Sequence, residues 1–105
     1  MTFKVIWSHS AENRLIDIYN YYSEKASPKI AKKLVRELIQ ASINLKHTPF
    51  IGQIEPLLTH RSNEYRYLVV RSYKIIYSPF PEIGEIQVAD VFDCRQNPEK
   101  IKRAQ

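Results

Sequence analysis

Residues 64–77 read EYRYLVVRSYKIIY, and this stretch decides the fold. Two runs rich in β-branched and aromatic residues, Glu64 to Val70 and Tyr73 to Tyr77, are separated by Arg71-Ser72. Such runs are typical of β-strands, and a two-residue gap joins antiparallel neighbours through a tight turn. The stretch therefore predicts a β-hairpin.

Further segments on both sides of this hairpin complete a layered domain. Residues 3–7 and 85–93 carry the same strand signal. Apolar side chains recur at helical spacing over residues 11–22 and again from Pro28 to about His47, and the short link between these helices makes them an antiparallel pair. The order β-α-α-β-β-β predicts an α+β fold, with a helical hairpin packed on one face of a mostly antiparallel sheet.

The predicted strands do not alternate cleanly between apolar and polar residues. Residues 65–70 and 86–92 have apolar or aromatic side chains in both registers, whereas a sheet with one wet face alternates. Because two helices cover one face, we expect the other face to keep apolar surface for an obligate protein partner. The alternative is that the loop 48–62 or the polar segment 96–105, a tail or short frayed helix, covers this surface.

Composition is typical of a single cytoplasmic domain. The chain has 105 residues, 44% of them hydrophobic and 26% charged, which predicts one domain over residues 1–105. Its single cysteine, Cys94, cannot form an intramolecular disulfide, which favours a reducing compartment. The net charge of +5 favours acidic partners, and no apolar run is long enough to span a membrane.

The sequence lacks the motifs that mark several common kinds of catalytic or binding site. The two glycines, Gly52 and Gly84, are far apart, so the sequence has no glycine-rich phosphate loop. The three histidines and Cys94 lack metal-ligand spacing, and no GxSxG turn marks a nucleophilic serine. We therefore expect neither a cofactor nor a metal site.

Basic and aromatic residues of the C-terminal half are the candidate functional residues: Arg61, Arg66, Arg71, Tyr73, Lys74, Tyr77 and Arg95. Arg66 lies in an otherwise apolar strand, where a guanidinium group needs an anionic or carbonyl partner. That partner is either a ligand or an acid of the chain, such as Asp90 or Asp93.

The second predicted helix has a basic face, formed by Lys29, Lys32, Lys33 and Arg36. Such a face is either an electrostatic footprint for nucleic acid or a solvated helix surface. The sequence leaves both interpretations open.

Short motifs occur along nearly the whole chain. They are Trp7-Ser8, then Ala11, Leu15, Ile18 and Tyr22, then Pro49 and Gly52, and finally residues 64–66, 73–77 and 91–98. In this order and spacing they resemble the RelE/ParE superfamily of toxins from type II toxin–antitoxin modules, in its ParE or plasmid-stabilisation branch. The resemblance implies a RelE/ParE-like fold and a small toxin whose cognate antitoxin lies along the sheet and the helical hairpin.

The resemblance implies one of two activities. ParE-like members inhibit DNA gyrase, whereas RelE-like members cleave messenger RNA on the ribosome with several basic strand residues and a tyrosine in the C-terminal tail. Arg66, Lys74 and Arg95 match three of these basic positions, but Leu68 stands where a further lysine is expected, and residues 96–105 contain neither tyrosine nor histidine. We therefore prefer a gyrase inhibitor without hydrolytic chemistry.

The hypotheses give the same residues different roles. As a gyrase inhibitor, the chain contacts its target or antitoxin through Arg66, Tyr73, Lys74, Tyr77 and Arg95, and no residue is catalytic. As an endoribonuclease acting on the ribosome and messenger RNA, it places Arg66, Lys74 and Arg95 around a phosphate, with Tyr77 or Tyr73 in the acid–base role. A third hypothesis is an inactive homologue that retains only antitoxin binding. In each case operator DNA is bound only through the antitoxin.

Overall fold

The structure, a computed structural model, describes residues 2–104 and contains two α-helices, five strands and three short 3₁₀ helices in that range. In chain order these are β1 (Lys4–Trp7), α1 (His9–Lys25), α2 (Pro28–Asn44), β2 (Gln53–Ile54), the 3₁₀ helix Pro56–Leu58, β3 (Arg66–Val70), β4 (Tyr73–Phe80), the 3₁₀ helix Pro81–Ile83, β5 (Glu85–Asp93) and the 3₁₀ helix Pro98–Arg103. The predicted α+β architecture is confirmed, with a packed helix pair on a mostly antiparallel sheet.

Both α-helices begin at a serine cap. Ser8 Oγ accepts a hydrogen bond from Ala11 N at 3.0 Å, and Ser27 Oγ accepts one from Ile30 N at 3.2 Å. α2 ends before the predicted His47, because the residues after Asn44 turn back toward β1. Within residues 2–104, neither helix has the length and apolar content that a membrane span requires.

The strands lie in the order β1-β5-β4-β3-β2, with β1 parallel to β5 and every other pair antiparallel. The predicted hairpin is β3–β4, and Arg71 makes its tight turn with a left-handed φ of 54°. Three strand limits differ from the prediction, since β1 begins at Lys4, β3 begins at Arg66 and β4 is longer, and one further strand forms. β4 continues through Pro79 to Phe80, because the fixed φ of proline fits extended backbone, and β2 forms inside the predicted loop.

The first core lies between the helices and one face of the sheet. Ile18 of α1 and Leu38 of α2 pack there with Tyr73, Ile75 and Tyr77 of β4. These three strand residues share a face because neighbouring side chains in a strand point in opposite directions.

The second face of the sheet is covered over its central strands β4 and β5, so the prediction of an open apolar face is wrong there. Ile76 and Phe92 are 0% and 3% exposed, and they pack with Leu58 of the loop and with Ile101 and Ala104 of the C-terminal segment. The alternative, in which the chain covers its own surface, is correct. The two apolar residues of the C-terminal segment are three apart, which places them on one side of a 3₁₀ helix.

Polar contacts hold the C-terminal segment against the sheet. Arg61 donates hydrogen bonds to the carbonyl oxygens of Lys102 and Ala104. Arg103 Nε lies 2.9 Å from Oδ2 of Asp90, which is 1% exposed. Because a buried carboxylate without its partner is strongly destabilising, this ion pair anchors the segment. The segment is therefore part of the core and not a frayed tail.

The covered second face predicts a stability change. Ile101 is 1% exposed, so Ile101→Ala should lower the free energy of unfolding by about 2–4 kcal/mol through lost burial and a residual cavity. Chemical denaturation followed by Trp7 fluorescence measures this. Lys100→Ala, at the exposed neighbour, is the control and should change the value by less than about 0.5 kcal/mol. Equal stability of Ile101→Ala and the wild type would contradict the packing described.

Candidate functional site

Arg66 lies at the start of β3, and its guanidinium group holds the preceding loop. Its Nη1 donates hydrogen bonds to Phe50 O at 3.1 Å and to Gly52 O at 2.7 Å, and its Nε lies 2.6 Å from Glu64 Oε2. The guanidinium carbon is also 5.2 Å from the centroid of the Phe50 ring. Arg66 therefore has an acid of the chain as its partner, together with two carbonyl groups.

Tyr77 supports the same loop from inside the core. It is 0% exposed, and its hydroxyl accepts a hydrogen bond from Gly52 N at 2.9 Å. A side chain at Gly52 has no room, since a Cβ atom would lie 2.5 Å from this hydroxyl and 2.7 Å from Tyr67 O. Burial raises the pKa of Tyr77. Contrary to its predicted part in binding or RNA cleavage, Tyr77 does not reach the surface.

Lys74 points to the second face of the sheet, away from Arg66. Arg66 is opposite Tyr77 in the β3–β4 register, and Lys74 lies an odd number of residues from Tyr77, so the two cations are on opposite faces. Lys74 Nζ is 3.0 Å from Glu55 Oε1 and 4.1 Å from the centroid of the Tyr67 ring. Glu55 is 1% exposed, so this pair fixes the loop to the second face.

Arg95 follows β5 and connects the sheet to the end of α1. Its Nε and Nη2 each lie 2.9 Å from a carboxylate oxygen of Asp93, and Nη2 also donates to the Tyr22 hydroxyl at 3.2 Å. The Tyr73 hydroxyl donates to the same Tyr22 oxygen at 3.5 Å. The Arg95 side chain is 58% exposed, against 19% for Arg66 and 26% for Lys74. Arg95 is therefore the most accessible of the three predicted cations.

The contacts around Arg95 shift the pKa values of three neighbours. Two hydrogen bonds lower the pKa of Tyr22, and the one from Tyr73 has a larger effect than the one from Arg95. Burial is the main cause that raises the pKa of Tyr73, and the hydrogen bond with Tyr22 raises it further. The hydrogen bond with Arg95 lowers the pKa of Asp93. Tyr22 thus combines a partly exposed phenol with a neighbouring cation, a role that the sequence analysis missed by treating it only as part of an apolar helix stripe.

A groove of about 440 Å³ opens beside this cluster, between α2 and the β3–β4 turn. Its walls are formed by Tyr22, Ile30, Lys33, Leu34, Glu37, Arg71, Ser72 and Tyr73. In these walls Arg71 forms a bidentate pair with Glu37, at 2.5 and 2.9 Å. The hydrogen bond with Arg71 lowers the pKa of Glu37.

The structure brings Tyr73 and Arg95 together, but it does not gather the predicted cations around one point. Arg66 and Lys74 lie on opposite faces of the sheet and both hold the loop. Cleavage of RNA by its 2′-hydroxyl needs a base, an acid and cations around a single phosphate. Within residues 2–104, the three predicted cations do not form such a site.

Comparison with protein families identifies the chain. Residues 5–98 match the family described as "ParE toxin of type II toxin-antitoxin system, parDE". The chain belongs to this family. The resemblance to the RelE/ParE superfamily that its motifs indicated is therefore confirmed. A comparison with curated proteins gave no match.

Solved structures share the fold of this ParE-family chain at low identity. The chromosomal ParDE toxin–antitoxin system from P. aeruginosa aligns with a TM-score of 0.72 and 19% identity, covering 88% of this chain and 96% of that chain. A free-state mutant of the E. coli toxin RelE aligns with a TM-score of 0.67 and 14% identity over 98% of each chain. A YoeB/ParE toxin from Agrobacterium tumefaciens aligns with a TM-score of 0.53 and 19% identity, covering 87% and 98%. At these identities the likeness is one of fold.

The ion pair at the site predicts a pH dependence of stability. Because the folded pKa of Asp93 is lowered, its contribution is complete above the unfolded pKa of about 3.9 and is lost as the pH falls through the lowered folded value. The wild type should be more stable than Asp93→Asn at neutral pH, and this difference should shrink below about pH 4. Chemical denaturation over a pH series measures it. A difference that stays constant into strong acid would contradict the assignment.

Proposed function

We propose that this chain is held inactive by a cognate antitoxin and acts on DNA gyrase in the cytoplasm, without hydrolytic chemistry, as one toxin domain over residues 1–105. Membership of the ParE family supports the toxin and antitoxin parts of this proposal. The shared fold of the P. aeruginosa ParDE system agrees with them. The target and the absence of hydrolysis are supported by the residues of the site.

The separation of the three cations is the observation that carries the proposal. Arg66 is bound to loop carbonyl oxygens, and Lys74 neutralises the buried carboxylate of Glu55. Moving Lys74 to a phosphate leaves that buried carboxylate unpaired, which costs about 3–5 kcal/mol. A hydrolytic centre needs such groups to converge, whereas a toxin that acts by binding needs only exposed anchors.

Arg95 is the anchor that the geometry favours. Asp93 holds its guanidinium group in one orientation, and more than half of the side chain is exposed. Arginine is enriched among the residues that dominate protein interfaces. The expected apolar strand face is covered by the C-terminal segment, so the contact surface lies on the helix side, near the end of α1.

A second candidate function is a ribosome-dependent endoribonuclease centred on Tyr22. Its hydroxyl lies 3.2 Å from the Arg95 guanidinium group, and its pKa is lowered by Tyr73 and Arg95. In that case the Tyr22 phenolate takes the proton of the attacking 2′-hydroxyl as its oxygen bonds to phosphorus. The resulting phenol returns the proton to the leaving 5′-oxygen as the P–O5′ bond breaks, and Arg95 stabilises the phosphate. Neither Tyr77 nor Lys74 takes part.

Gyrase and ribosome assays separate these functions. Purified chain added to gyrase, DNA and ATP should block supercoiling and accumulate linear DNA, while ribosome-bound message stays intact. Arg95→Ala should weaken the gyrase effect about tenfold, the loss expected for a central interface arginine. Arg14→Ala, which removes a surface arginine paired with Asp17, is the matched control and should leave the effect unchanged.

Other outcomes contradict the proposal in distinct ways. Cleavage of messenger RNA at the ribosomal A site, without linear DNA, would support the endoribonuclease. Loss of this cleavage in Tyr22→Phe would then assign the proton transfer to Tyr22. Neither activity, with antitoxin binding intact, would support the inactive homologue.

A further inference from the structure

The basic face of α2 lies on the side of the helix that points away from the core. Its four members are exposed and stand at positions i, i+3, i+4 and i+7: Lys29, Lys32, Lys33 and Arg36. This spacing keeps them within an arc of about 100° around the helix axis. The buried Leu34 and Leu38 are on the opposite side of the helix. One partner can therefore contact all four cations at once.

The basic face has no ion-pair partner within residues 2–104. None of its four members forms a salt bridge there. Glu37, the one acid of α2, is bound by Arg71 through two hydrogen bonds. The exposed side of α1, in contrast, carries both signs of charge, and Arg14 pairs there with Asp17 at 3.2 Å. On α2, four cations stand beside a single acid, and a fifth cation already holds that acid.

This arrangement destabilises the free helix. Like charges four residues apart repel each other on a helix surface. Lys29 and Lys33 form one such pair. Lys32 and Arg36 form a second. Lys29 also lies in the first turn of α2, which contains no acid and where the positive end of the helix dipole disfavours a cation. A solvated helix surface commonly mixes charges of both signs. An anionic partner relieves both kinds of repulsion and accounts for this exception.

The residues around the basic face favour a nucleic-acid duplex over a single strand. Proteins bind single strands with aromatic side chains, on which the bases stack. α2 contains no aromatic residue, and the exposed residues that follow the basic face along the helix are Gln40 and Ile43. Cations without stacking groups contact the phosphate backbone, which carries no sequence information.

We propose that the basic face of α2 binds the phosphate backbone of duplex DNA without reading its sequence. The inference rests on the proposed function, in which the chain acts on gyrase while gyrase holds DNA. The gyrase contact is at Arg95, and α2 adds a contact to the DNA itself. Lys29 and Arg36 are about 10 Å apart along the helix axis, which matches about three nucleotide steps of one DNA strand.

The salt dependence of DNA binding tests this surface directly. The purified full chain is titrated into a short labelled duplex of random sequence, and fluorescence anisotropy gives the affinity at several salt concentrations. Four neutralised phosphates predict a slope of log K against log salt concentration of about −3.6. Lys32→Gln/Arg36→Gln removes two of these contacts, so the slope should change to about −1.8. At about 0.1 M salt, its affinity should be more than tenfold lower than that of the wild type.

A matched variant separates the basic face from the net charge. Lys4→Gln/Lys100→Gln makes the same change in net charge at two exposed lysines outside α2. Its slope should stay within about 0.5 of the wild-type value, and its affinity should change less than about threefold. The melting temperature of Lys32→Gln/Arg36→Gln should equal or exceed that of the wild type, because repulsion is relieved. Weaker DNA binding of this variant then does not result from unfolding.

Four results would overturn the inference. They are no binding of the duplex by the wild type at low salt, equal losses in the two double variants, tighter binding of duplex RNA than of duplex DNA, and tighter binding of a polyglutamate peptide. The gyrase assay on the same variants separates such a failure from that of the proposed function. DNA binding through the basic face without any gyrase effect contradicts only the target. A gyrase effect that keeps its full potency in Lys32→Gln/Arg36→Gln contradicts only the DNA contact.

Discussion

The central strand pair β4–β5 has apolar side chains on both faces, so the rest of the chain must bury two faces of the sheet. Ile75 faces the helices, whereas Ile76 faces the other way, and both are 0% exposed. Two helices can cover only one face of such a sheet. The chain therefore covers the second face with its own loop and C-terminal segment, which Arg61 and the Asp90–Arg103 pair hold in place. Burial of this second layer adds apolar area that a small domain needs for stability.

Covering both faces also decides which side chains remain free for function. Lys74 and Arg66 hold the long loop from opposite sides of the sheet, so each has a structural partner. The accessible polar groups lie instead at the end of α1 and along α2, where Arg95 and Tyr22 meet beside the groove. In this ParE-family chain the candidate interaction surface is therefore on the helix side. The sheet face that the strand pattern predicted as a partner surface is part of the core at β4 and β5.

Local patterns predicted most of the fold and only part of the site. Helical periodicity, serine caps and the two-residue turn act between near neighbours, so the helix pair and the hairpin follow from sequence. The cover of the second face depends on Ile101 and Ala104, which are too few to form a period within a polar segment. The role of Tyr22 depends on contact with residues far along the chain, which no local pattern indicates. The opposite placement of Arg66 and Lys74, however, follows from strand alternation across the turn and was available from the sequence.

The most direct test of this account is nuclear Overhauser spectroscopy on the isolated full-length chain with labelled isoleucine methyl groups. Cross-peaks are expected from the Ile101 methyl groups to Leu58, Ile76 and the Phe92 ring, because these side chains form one buried cluster. A random-coil shift for Ile101 with no such cross-peaks would mean that the second face is open, and it would contradict the cover of β4 and β5 by the C-terminal segment.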